Sequence, residues 1–182
     1  NIDLNEDSSF IDCKALRHPI IERIQHDIEY VPNDVILGKN NLNGMLLYGC
    51  NAVGKSSLMK AIGLNLIMAQ AGMYVASKSF TYKPFNYIFT RISDNDNIFK
   101  GQSSFAVEMS ELRSILKRSD NRSIILGDEL CSGTESISAQ SIFAASVIKL
   151  ALRNVNFIFA THLHELYKMP KIKELVNVRS FH

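Results

Sequence analysis

The chain has 182 residues, 46% of them hydrophobic, and a formal net charge of +2. That is enough apolar material for one cored domain and excludes a disordered or low-complexity chain. A pI near 8.4 excludes a nucleic-acid surface built on bulk basicity. Cys13, Cys50 and Cys131 have no CxxC spacing, which argues against a zinc site or a disulfide framework; they read as reduced thiols of an intracellular protein. No apolar run is long enough to span a bilayer, so no membrane partner is expected. A first residue of Asn rather than Met reads as a piece of something longer.

In chain order, residues 1 to 9 are a polar entry, and Phe10 to Cys13 with Tyr30 to Leu37 read as short strands of an antiparallel flap. Met45 to Tyr48 is a buried strand, and Ser57 to Gln70 a helix with Leu58, Ile62, Leu66 and Ala69 at helical spacing. Phe85 to Ile92 reads as a strand, Ser93 to Gly101 as a polar loop, and Ser104 to Lys117 as a helix with Val107, Leu112, Ile115 and Leu116 inward. Ser123 to Gly127 is a continuous apolar strand of the parallel, doubly buried type. The helix Ser138 to Leu152 turns Ile142, Ala145, Ile148 and Leu152 one way. Asn156 to Thr161 and Leu175 to Val178 close the chain as strands.

Between the strand at Met45 and the helix after it, Gly49, Gly54, Lys55 and Ser56 fill the GxxxxGK[ST] pattern of a phosphate-binding loop. The glycines let successive N–H groups converge on a polyphosphate, and the helix N-terminus adds its dipole to the same anion. Lys55 would reach the β- and γ-phosphates and the Ser56 hydroxyl would ligate Mg²⁺. A glycine turn that binds nothing is the alternative.

Asp128 and Glu129 follow the apolar strand at the sheet edge where ligands of α/β proteins bind. Asp128 would hold the hydration shell of Mg²⁺ and Glu129 would polarise the attacking water, unless the pair is only an acidic helix cap. His162 arrives at the same edge from Asn156 to Thr161, placed to meet a γ-phosphate or its water; His164 reads as surface or cap.

Five stretches in fixed order resemble the MutS ATPases of DNA mismatch recognition. They are Arg17-His18-Pro19 with Glu22, Tyr30-Val31-Pro32-Asn33-Asp34, the phosphate loop, Gly101 to Met109 with its Ser-Ser-Phe-Ala-Val-Glu-Met run, and Asp128-Glu129 followed by Phe159-Ala160-Thr161-His162. The resemblance implies an α/β P-loop fold of the ABC-ATPase type, with a mostly parallel central sheet flanked by helices and a small N-terminal antiparallel flap. One ATPase domain would cover 1–182, with the flap at 1–44 and the core at 45–182. It also implies ATP hydrolysis by a pair of subunits that sandwich nucleotide, coupled in the full-length protein to mismatched double-stranded DNA through domains absent here.

By the same carry-over Tyr30 and Val31 resemble the adenine platform, and Asn51, Lys55, Ser56 and Ser57 the phosphate and Mg²⁺ set. Glu129 resembles the water-activating carboxylate, His162 the γ-phosphate sensor, and Ser103 the serine that completes the partner subunit's site. Helix capping by Ser103 or Ser104 would need no partner. The loop departs from the family pattern at Cys50, Ala52, Val53 and Ser57, and Cys131 to Glu135 lacks the usual arginine, as in the divergent organellar and large-virus branch. Val53, where the family has glycine, requires a backbone conformation that a β-branched residue tolerates. The alternatives are another ABC-type ATPase or a nucleotide-binding switch without turnover.

Overall fold

A computed structural model describes residues 1–24, 27, 29–40, 42–50, 53–91, 103–128 and 137–180, the side chains of 103–106 excepted. Two sheets share the work. The strands β1 (Phe10–Leu16), β2 (Asn33–Leu37), β3 (Gly44–Tyr48), β4 (Ser79–Lys83), β5 (Tyr87–Arg91), β6 (Ser123–Gly127), β7 (Asn156–Ala160) and β8 (Val176–Ser180) alternate with helices α1 (Ile21–Ile24), α2 (Lys55–Gln70), α3 (Ser103–Arg118), α4 (Ile137–Leu152) and α5 (Pro170–Leu175). The larger sheet has five strands in the order β5-β6-β7-β3-β8. Every pairing in it is parallel. All five positions of β3, β6 and β7 are buried, as apolar strands covered on both faces must be.

This corrects the fold class implied by the resemblance. The structure gives an α/β domain built on a wholly parallel five-stranded sheet beside a separate three-stranded antiparallel sheet, and that description replaces the ABC-type P-loop class with its mostly parallel sheet. Nor is the antiparallel sheet an N-terminal flap. Its order is β2-β1-β4, and β4 comes from the segment after α2, pairing Phe10 with Lys83 through Lys14 with Ser79. Phe80 and Tyr82 of β4 point inward on alternate positions, which is the physical reason that this stretch is a strand.

One face of the parallel sheet carries α2 and the antiparallel sheet, so that Ile11, Leu16, Val35 and Leu37 meet Leu58, Met59, Ile62 and Leu66 in one core. The other face carries α4, whose Phe143, Val147 and Leu150 pack with Phe157 and Phe159, and α3 lies against the same cluster through Met109, Ile115 and Leu116. Of the α4 residues expected to share a side, Ile142, Ala145 and Leu152 face water while Ile148 packs partly against the core, because the bulkier set around Phe143 fills the space against the sheet. Val107 of α3 is likewise exposed.

Asn65 ties the two layers together. Wholly buried on α2, its amide donates to the carbonyls of Arg17 (3.0 Å) and Ala61 (2.8 Å) and accepts from the N–H of Ala76 (2.7 Å). Asn65→Ala would leave two of those backbone groups without a partner in a dry place, for an expected loss of about 2–4 kcal/mol. A shift in urea midpoint at unchanged slope checks this, and a change under about 0.5 kcal/mol would refute the role.

After His18 the chain turns into α1. The His18 Nδ1 accepts the N–H of Ile20 (3.3 Å) and of Ile21 (3.2 Å), capping that turn, and Arg17 pairs with Glu22 at 2.7 Å. Burial, and then the nearby Lys60, push the His18 imidazole below its ordinary 6.5. An unfolded chain thus takes up this proton at higher pH than the folded one. The contribution is present above about pH 6.5 and fades as pH falls through the folded value. His18→Asn, which keeps an acceptor but does not titrate, should flatten the fall in stability between about pH 7 and pH 5; an unchanged slope would exclude His18 as its source.

Candidate functional site

Strand β3 delivers the chain to the C-terminal edge of the parallel sheet, where Gly49 and Cys50 leave it and Val53 and Gly54 enter α2. Gly54 sits in the left-handed region (φ 96°) at the head of α2, with no side-chain cap and with open space where a Cβ would be. Its conformation, not crowding, asks for glycine. Val53 is not among the described residues with positive φ, as a β-branched residue in this loop requires.

Lys55 is buried, and its Nζ donates to the carbonyls of Gly49 and Cys50, both at 2.7 Å. The ammonium is thus fixed at the centre of the turn. Ser56, the next residue, donates its hydroxyl to the Oδ2 of the buried Asp128, which follows β6. These two oxygen groups come from positions far apart in the chain and meet because β6 and α2 converge on one edge. The N–H of Asp128 is held by the carbonyl of Arg91 (2.7 Å), and Arg91 is itself paired with Glu108 (3.3 Å) and with Glu111. The glutamate of the Ser-Phe-Ala-Val-Glu-Met run therefore anchors the strand that positions Asp128.

Tyr30 lies beside Ser57 in the first turn of α2; burial pushes its phenol pKa up, and the neighbouring Ser57 hydroxyl opposes the shift. Val31 beside it is 75% exposed. His162 is exposed at the tip of β7 and lines a cavity of about 480 Å³ together with Gly49, Cys50 and Val53. Tyr30 with Ser57, Lys55 with Gly49, Ser56 with Asp128, and His162 with Gly49 are thus brought together. Asn51 and Glu129 lie outside the described residues, as do the loops 93–101 and 131–135. Ser103 is the first residue of α3, and its side chain is not described.

An aromatic cluster on the same cavity escaped the sequence reading. The ring of His164 is exposed, as expected, but it stacks on Tyr48 (centroids 5.5 Å apart, 27° between planes), and Tyr167 meets Tyr48 edge-on at 5.7 Å. Tyr48 is buried, donates to the carbonyl of Leu163 (3.3 Å), and has its phenol pushed up to about 12 by burial. The contact joins a strand end to a loop over a hundred residues later, and only the His164-to-Tyr167 spacing of one helical turn hinted at it.

Among the described residues no group of three or more His, Cys, Asp or Glu is arranged to hold a metal, and no helix is long and apolar enough to cross a membrane. Cys13 is buried and its thiol is pushed up to about 12, chiefly by burial, so it is inert; Cys50 is a free thiol at the cavity.

Comparison with known proteins agrees with the five stretches. The family model for MutS domain V matches residues 45–182. A mutS homolog of Acanthamoeba polyphaga mimivirus is 38% identical over 98% of this chain and 19% of its own length. The mitochondrial DNA mismatch repair protein mutS homolog of Sarcophyton glaucum is 43% identical over 86% of this chain and 16% of its own length. The DNA mismatch repair protein MutS of Cytophaga hutchinsonii is 38% identical over 97% of this chain and 21% of its own. The chain thus spans about a fifth of the length of these relatives. With a domain match over three-quarters of its residues and a viral and a mitochondrial relative among the similar proteins, the chain belongs to the MutS family.

Proposed function

We propose that this chain, as one domain of a longer protein, binds ATP with Mg²⁺ and hydrolyses it, and that it does so as a pair of like subunits. The observation that carries the reading is the pairing of a buried lysine, centred in a glycine-bounded turn, with a serine–aspartate pair at the same sheet edge. Lys55 would hold the β- and γ-phosphates, with Gly49, Asn51, Gly54 and Ser57 completing the loop around them. Tyr30 and Val31 would face the adenine.

Ser56 and Asp128 suit Mg²⁺. Both offer hard oxygen, and two protein ligands leave room for the waters and phosphate oxygens that this ion retains. When bound, the ion would neutralise phosphate charge. Glu129 would orient the attacking water and His162 would contact the terminal phosphate, with Ser103 entering the partner's site. The relatives named DNA mismatch repair proteins extend the reading: turnover would be coupled to mismatched double-stranded DNA bound by other parts of the longer protein.

The test is ATP turnover against protein concentration, followed by mixing two inactive variants, Ser103→Ala and Glu129→Ala. If each site draws on two chains, specific activity rises with concentration, and the mixture recovers activity that neither variant has alone. Activity independent of concentration, with no recovery on mixing, overturns the paired-subunit reading. ATP binding without turnover at any concentration would make the domain a nucleotide switch.

A further inference from the structure

The helices α3 and α4 lie on the same face of the parallel sheet without closing on one another. A groove of about 420 Å³ runs between them, with Met109 and Leu116 on one wall and Ile142 on the other. Ile142 is 44% exposed although it is a large aliphatic side chain, and it belongs to the water-facing side of α4 that also shows Ala145 and Leu152. Ser146 adds no polar demand to the groove, because its hydroxyl donates to the carbonyl of Ile142 at 2.8 Å. The groove is therefore an apolar slot left open on a helix that is apolar on two sides.

Its rim is basic. Arg113 and Lys117, one turn apart on α3, and Lys149 on α4 line the slot, and among the described residues no carboxylate lines it. Among the described residues none of the three cations is in an ion pair, whereas Arg91 on the neighbouring strand is paired twice. An apolar floor between unpaired cations specifies its complement: apolar side chains flanked by carboxylates. The lining residues span about two helical turns on each side, or roughly 12 Å, the reach of one helix presenting anchors at i, i+3 or i+4, and i+7. Duplex DNA would satisfy the cations but has nothing to place on Ile142 and Met109, since its backbone is read through charge.

We infer that the α3–α4 groove is a docking site for an acidic amphipathic helix of a partner protein, with aliphatic anchors over Met109 and Ile142 and carboxylates on Arg113, Lys117 and Lys149. The site lies on the outer helical layer, apart from the Lys55–Asp128 edge, and does not depend on nucleotide chemistry.

The probe is a synthetic peptide of about 18 residues, long enough to hold a helix, with Leu at i, i+3 and i+7 and Glu on the flanking positions. Its scrambled isomer, a version with Lys in place of Glu, and a short DNA duplex serve as comparisons. Titration of the ¹⁵N-labelled chain should shift the resonances of α3 and α4 with the acidic amphipathic peptide alone. Ile142→Asp and, separately, Lys117→Glu should each weaken it by about tenfold or more, with thermal melting showing that both variants fold. Added salt should weaken binding further. Equal binding of the scrambled peptide, indifference to both substitutions, or a duplex that shifts the same resonances in the Ile142→Asp variant would each overturn the assignment.

Discussion

Lys55→Met should weaken ATP binding by about 100-fold, close to 3 kcal/mol, because it would remove the charge-assisted contact to phosphate proposed for Lys55. Methionine is the informative choice. Lys55 donates to the carbonyls of Gly49 and Cys50, so any substitution also frees two acceptors of the turn. Methionine keeps the buried stem that packs at the head of α2 and removes only the ammonium. Calorimetric titration with ATP, beside thermal melting without it, separates the two effects. Binding within about threefold of the parent would sink the phosphate role of Lys55. Glu129→Ala should give the opposite pattern under the proposed role, with nucleotide retained and turnover lowered by about 10²- to 10⁴-fold, as for loss of a general base.

The second large effect concerns the centre of the sheet. Gly44 and Phe157 are register partners on β3 and β7, and a Cβ on Gly44 would lie 2.2 Å from the tip of the Phe157 ring. That ring is fully buried and stacks on Phe159 at 5.1 Å, so it has no easy retreat. Phe157→Ala should cost about 3–5 kcal/mol through the cavity it leaves. Gly44→Ala should cost about 1–3 kcal/mol through overpacking. Combined, the new methyl enters the vacated space, and the double variant should be at least about 1 kcal/mol more stable than the sum of the two losses predicts. Urea denaturation of the four proteins checks the cycle; simple additivity would mean that the ring yields to the methyl at no cost.

How far the sequence could be read depended on what each residue needed. β3, β6 and β7 were legible because a strand buried on both faces is apolar at every position, and their five buried residues leave little ambiguity. α2 was legible in its inward face. α4 was not: a helix apolar nearly all round has no preferred side by periodicity, and what decides is the volume of Phe143, Val147 and Leu150 against the sheet. β4 was missed because Ser79-Phe80-Thr81-Tyr82-Lys83 is short and half polar, and it becomes a strand only because β1 offers it an edge. At the candidate site, the placement of Lys55 in the turn and the meeting of Ser56 with Asp128 could be anticipated since each lies in a local motif. The stacking of His164 on Tyr48 was not, because it depends on how two sheet-edge loops pass each other.

The insertion of β4 into the antiparallel sheet also bears on how the chain acquires its fold as it is made. β1 and β2 leave the ribosome before β4 and can pair as neighbours, but the free edge of β1 must wait until β3, α2 and the turn after it have been synthesised. Until then Ile11 and Leu16 have no lid, and the edge is open to pairing with any other nascent strand. Long-range closure of this kind raises contact order and slows folding. The vulnerable interval in the life of this chain is therefore the one between emergence of β2 and arrival of β4. Chaperone capture or aggregation should concentrate there rather than at the parallel sheet that forms the site.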